Sequence, residues 1–155
     1  MIDLSERQIP GVHVREELIE TVDRLFIATD DKDWKTVADC FTPTVRFDMS
    51  SAGGGPERER PAEDIAADWQ RGLEPIQALH HQAGNYRVSV DGERARVFCY
   101  GIAYHYLPKP SGRNTRVFVG SYDLQLTRAA GRWKISAFRY HLKFIDGNAE
   151  LEKPE

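Results

Sequence analysis

The stretch Val97-Phe98-Cys99-Tyr100-Gly101-Ile102-Ala103-Tyr104-His105-Tyr106 decides the fold of this chain. Val97, Cys99, Gly101, Ala103 and His105 alternate with Phe98, Tyr100, Ile102, Tyr104 and Tyr106. Successive side chains of an extended strand point to opposite faces, so the pattern predicts a strand with one small face and one aromatic face. The small face leaves room for a cavity, with His105 reaching into it. The aromatic face needs cover, which a second copy of so short a chain would supply; ordinary core packing on both faces is the alternative.

Outward from this strand, the region from about Leu79 to Ile145 is rich in Val, Tyr and Phe and is broken at Asp91-Gly92, at Pro108 to Asn114 and at Ala129 to Gly131. Four strands joined as hairpins follow, with Asp91-Gly92 as a tight turn. Upstream the period changes to a helical one. Leu18, Val22, Leu25 and Phe26 form the stripe of a first helix from Val14 to Thr29, entered at Pro10-Gly11. Asp31 or Asp33 caps a short second helix carrying Trp34, Val37, Ala38 and Phe41, and Pro43 ends it. Val45 to Met49 reads as a short strand before a mobile Gly53-Gly54-Gly55-Pro56 loop. Pro61 opens a third helix with Ile65, Ala66, Trp69 and Leu73, closed by Gly72 and Pro75. Helices first and a meander second predict an α+β domain, with about three N-terminal helices over one face of a curved, mainly antiparallel sheet. A single domain spans residues 1–155, with its core at about 12–145 and short flexible tails.

Composition narrows the function. Net charge is −3, from 21 basic and 24 acidic residues, and no basic stripe follows a phosphate backbone, so neither nucleic acid nor membrane is an expected partner. The start lacks the basic-then-apolar pattern of a signal peptide, and the expected location is cytoplasmic. Cys40 and Cys99 have neither metal-type spacing nor a disulfide framework and read as buried thiols.

Asp30 is the first chemical clue. It continues the four-residue step from Leu18, Val22 and Phe26, so it points toward the core from the negative end of a helix. A carboxylate there needs a donor, and His80-His81 and His105 are candidates. Such a pair either performs proton transfer or satisfies two buried polar groups.

The segments Asp30-Asp31-Lys32-Asp33-Trp34 and Thr42-Pro43-Thr44-Val45-Arg46-Phe47-Asp48, His81 shortly before Arg87, His105, and Gly131-Arg132-Trp133-Lys134 follow one another in an order that resembles the nuclear transport factor 2-like superfamily. The resemblance is to its SnoaL-like branch, which includes scytalone dehydratase. It implies a cone-shaped roll enclosing a pocket, and cofactor-free dehydratases, dehydrohalogenases, isomerases and cyclases. It also favours a homo-oligomer, a trimer first and a dimer next. By position Asp30 would orient His81, the base, and His105 would donate to a carbonyl oxygen or leaving group. Thr29 and Met49 stand where that dehydratase has two water-positioning tyrosines, and Gly120 and Tyr122 where it has serine and asparagine.

Chemistry supports the same residues. Histidine titrates near neutrality, as a base next to a carbonyl requires, and a carboxylate on the far ring nitrogen fixes its tautomer. His80, next to His81, must point the other way in an extended segment. Tyr104, Tyr106, Tyr122 and Tyr140 could supply a phenol to an enolate oxygen, Tyr122 first among them. Tyr122, Phe26, Met49, Trp69 and Tyr104 are the expected substrate contacts, and neither metal nor cofactor is expected. The expected function is a cofactor-independent lyase of the dehydratase type, acting on a small hydrophobic or aromatic substrate. Alternatives are an isomerase or polyketide cyclase using the same base, and a non-catalytic binder of small hydrophobic ligands.

Overall fold

A computed structural model describes residues 11–155; Pro10 and the expected N-terminal tail lie outside the described residues. Helix α1 (Val12–Asp30) buries Leu18, Val22, Leu25 and Phe26 along one stripe. It stops where Lys32 takes a left-handed φ of 55°, and the Lys32 Nζ donates to the Ile76 carbonyl at 2.7 Å. Asp33 caps α2 (Trp34–Asp39) by accepting from the Thr36 N–H at 3.1 Å. Phe41, expected on this helix, instead opens strand β1 (Phe41–Asp48). The Ile135 N–H donates to the Cys40 carbonyl at 2.8 Å, so sheet pairing takes the chain before another helical turn forms. The β1 register is irregular between Phe41 and Arg46, the stretch containing Pro43, which has no N–H to pair.

A short turn at Ser50–Ala52 follows, pinned where the Ser51 hydroxyl donates to the Tyr140 carbonyl at 2.8 Å. Strand β2 (Arg58–Pro61) then pairs antiparallel with β1, and α3 (Ala62–Leu73) buries Ala62, Ile65 and Ala66. The remaining strands are β3 (Ala78–Asp91), β4 (Arg94–Tyr106), β5 (Thr115–Ala129) and β6 (Arg132–Gly147). They complete a six-stranded sheet in the order β2-β1-β6-β5-β4-β3, antiparallel except for the parallel β1–β6 pair. The result is the α+β arrangement expected: three helices packed with a curved, open, mostly antiparallel sheet.

On β4 the alternation is realised side by side: Val97, Cys99, Gly101, Ala103 and His105 are buried, whereas Tyr100, Ile102, Tyr104 and Tyr106 are exposed. Gly101 lies opposite Gly120 on β5. A Cβ on Gly101 would sit 2.2 Å from the Tyr122 ring, and one on Gly120 would sit 2.3 Å from the His141 carbonyl and 2.7 Å from the Tyr140 hydroxyl. These two positions need glycine because the Tyr122 ring at Gly101, and the His141 carbonyl and Tyr140 side chain at Gly120, occupy the space a side chain would fill. Cys40 and Cys99 are buried free thiols, their pKa values pushed by burial up to about 11 and 12.

The C-terminal segment differs from the expected flexible tail. Leu151 is fully buried against Ile76 and Leu79, and the Lys109 Nζ donates to the Lys153 carbonyl at 2.6 Å. No described helix is long and apolar enough to cross a membrane.

Candidate active site

Asp30 is the last residue of α1, and the edge strand β3 brings His81 to it. The His81 backbone N–H donates to Asp30 Oδ1 at 3.1 Å and Oδ2 at 2.9 Å. A carboxylate at the negative end of a helix is disfavoured, and this N–H offsets that cost with a charge-assisted bond. The His81 ring adds a second link: Nδ1 lies 2.6 Å from Asp30 Oδ1. Because an ionised carboxylate only accepts, Nδ1 carries a proton, and in the neutral ring Nε2 then presents a lone pair. Phe26 stacks on the imidazole at 5.6 Å with 6° between planes, which fixes the ring's orientation.

A cavity of about 250 Å³ lies beside this pair. Phe26, Met49, Trp69, Phe118 and Phe138 are among its apolar walls, and its polar lining includes His81, His105, Tyr122, Tyr140, Thr29 and Asp68, the last paired with Arg60 and Arg71. Two larger and more open grooves, of about 800 and 980 Å³, lie elsewhere and contain no histidine. His105 is buried on β4, with its ring centre 6.4 Å from that of His81. Burial first, and the neighbouring Arg116 guanidinium second, hold its pKa down at about 4, so it is neutral at neutral pH. Burial raises the Tyr122 phenol well above its ordinary range and pushes Tyr140 up to about 12, so both remain O–H donors. Among the described residues neither hydroxyl has a hydrogen-bond partner. Nor do any three His, Cys, Asp or Glu side chains among the described residues converge as metal ligands would.

A family model described as a SnoaL-like domain matches residues 11–139. The chain belongs to the SnoaL-like family. No curated protein matches this SnoaL-like chain. Among solved structures it is similar to the Kfla4162 protein from Kribbella flavida, at 27% identity and a TM-score of 0.83, covering 88% of this chain and 95% of that one. A scytalone dehydratase candidate from Novosphingobium aromaticivorans is 13% identical with a TM-score of 0.76, over 93% of this chain and 97% of that one. The hexachlorocyclohexane dehydrochlorinase LinA-type3 from Novosphingobium barchaimii is 14% identical with a TM-score of 0.72, over 93% and 96%. The last two likenesses establish shared fold.

Within this SnoaL-like domain the cavity brings Phe26, Met49, Trp69, His81, His105 and Tyr122 together, and Asp30 reaches it through His81. Tyr104 is the exception. It is exposed on the outer face, its ring 6.3 Å from that of His80, because one step along a strand from His105 reverses the side chain. Sequence reasoning passed over Phe118, Phe138 and Arg116 as site residues. Phe118 shares the parity of Tyr122 along β5, a signal that was available; Arg116 depends on which residue of β4 it faces.

Proposed function

We propose that this protein is a cofactor-independent lyase of the dehydratase type, acting on a mostly apolar, ring-containing molecule with a hydroxyl β to a carbonyl. The observation that carries the reading is the 2.6 Å contact of Asp30 Oδ1 with His81 Nδ1 at an aromatic-lined cavity. Nε2 of His81 takes the proton from the carbon between carbonyl and hydroxyl-bearing carbon, and the electron pair moves onto the carbonyl oxygen. His105 or Tyr122 donates a hydrogen bond to that oxygen. Return of the pair expels the hydroxyl, which takes the proton back from the His81 imidazolium and leaves as water. The enzyme ends as it began. Solved structures of the same fold carry names for dehydration and dehydrochlorination, both eliminations that remove a proton and a leaving group from neighbouring carbons.

A volume of about 250 Å³ falls just below the roughly 300–1,000 Å³ usual for small-molecule sites, which suits a substrate of one ring or two fused rings. Cyclic β-hydroxy ketones, followed through the absorbance of the conjugated enone, are the direct assay. His81→Ala and Asp30→Asn should each lower turnover by about 100-fold or more, the scale of losing a general base. The double variant should be little worse than either, because the two act as a unit. Near-normal turnover in His81→Ala rules the mechanism out. Products isomeric with substrate assign the same base to an isomerase or cyclase, and bound but unchanged ligand assigns the cavity to a binding protein.

A further inference from the structure

Arg116 stands directly opposite His105 in the register of β4 and β5. Its Nη2 lies 3.0 Å from His105 Nδ1. A guanidinium has only donors and keeps its charge, so His105 Nδ1 accepts. A neutral imidazole has one ring proton, which is then on Nε2, and among the described residues Nε2 has no partner. A proton on Nδ1 would set N–H against N–H. The two cavity histidines are therefore opposite tautomers. His81 carries its proton on Nδ1, toward Asp30, and offers a lone pair; His105 carries its proton on Nε2 and offers a donor.

We propose that Arg116, steered by Glu152 of the C-terminal segment, is a positioning residue that locks His105 as an Nε2–H donor for the substrate oxygen. This rests on the elimination chemistry proposed above. The Arg116 fork is held from behind. Nη1 donates to Glu152 Oε2 at 2.8 Å and to the Ala149 carbonyl at 3.3 Å, while Nη2 also meets Glu152 Oε1. The guanidinium lies 5.3 Å from the centre of the Phe118 ring, itself a cavity wall. Glu152 is in turn fixed by its neighbour Leu151, which is fully buried. The charged and titratable groups facing His105 are Arg116 from β5, His81 from β3, Asp30 from α1 and Glu152 from the C-terminal segment. Arg116 alone among them contacts the ring nitrogens. Without it, His105 could carry its proton on either nitrogen, and half of the site's polarity would be undefined.

The test reads the ring itself. Long-range proton–nitrogen correlation spectra of ¹⁵N-labelled protein, with no ligand added, report the tautomer and charge of each histidine. Expected for the native protein is a neutral, Nε2-protonated His105, unchanged from pH 8 to pH 5. In Arg116→Met, His105 should show mixed tautomers or begin to titrate within that range, and Arg116→Lys should partly restore the native pattern. Glu152→Gln should give a smaller change in the same direction. With a turned-over substrate, Arg116→Met should lower kcat about tenfold with KM little changed, less than the roughly 100-fold cost of deleting a donor outright. A native His105 that is charged at pH 7, or protonated on Nδ1, overturns the proposal even if no variant folds. So does an Arg116→Met protein with the native His105 spectrum. Neither result depends on turnover, so failure of the lyase reading and failure of this one are seen separately.

Discussion

His105 gives the folded protein a proton site that the unfolded chain fills more readily. Its pKa lies at about 4 in the fold against an ordinary 6.5, through burial and then the Arg116 charge. The shift is downward, so its contribution to stability is complete above about pH 6.5 and is lost as pH falls toward 4, by an amount on the order of 3 kcal/mol. Urea midpoints of the native protein should fall across that window more steeply than those of His105→Gln, in which the remaining groups still titrate. Parallel curves would place the His105 pKa near its ordinary value. At this scale Asp30 was legible, because a four-residue step from Leu18 through Phe26 is enough to aim a helical side chain. The second anchor of that carboxylate, the His81 backbone N–H, was not, because it follows from β3 being an edge strand. Arg116 was illegible for a related reason: facing His105 depends on the pairing register, which no residue type announces.

Two adjacent strands share a floor made of Gly101 and Gly120, and the rings of Tyr122 and Tyr140 lie on it. Gly101→Ala drives a methyl to 2.2 Å from the Tyr122 ring and should cost about 1–3 kcal/mol, the usual penalty for overpacking a core. Gly84→Ala, with nothing within 4 Å of its new Cβ, should leave the melting temperature nearly unchanged. Thermal unfolding of the two variants side by side makes the comparison; equal melting temperatures would mean that Tyr122 moves aside freely. Strands β3 to β6 were readable from period-two alternation and from turns such as Asp91-Gly92. Strand β2 was not, since Arg58-Glu59-Arg60 has no apolar alternation and is extended only because β1 lies beside it. Phe41 was misread on the same ground: its helical spacing from Val37 and Ala38 was real, but the pairing of Cys40 with Ile135 across the chain outweighed it.

The outer face of the whole molecule carries Tyr100, Ile102, Tyr104, Tyr106 and Phe144, with Tyr100 45% and Phe144 54% exposed. We propose that a second copy of the chain covers it, as an exposed contiguous apolar patch favours. Sedimentation at micromolar concentration should return an oligomer, and the pair Ile102→Lys with Tyr104→Lys should shift it toward monomer while leaving the cavity untouched. A native monomer would mean that the face stays in water. The position of β6 between β1 and β5 also reaches into how the molecule is made. A ribosome delivers Asp48, the end of β1, 84 residues before Arg132, the start of β6 (132 minus 48). At about 5–20 residues per second, that is a wait of roughly 4–17 s. Throughout it, the β1 edge that later pairs with β6 has no strand beside it, and β2 on the other edge completes only a two-stranded hairpin of marginal stability. The emerging chain therefore presents a sticky edge for seconds before its last strand arrives, and yield in the cell should depend on chaperone supply more than the finished fold would suggest.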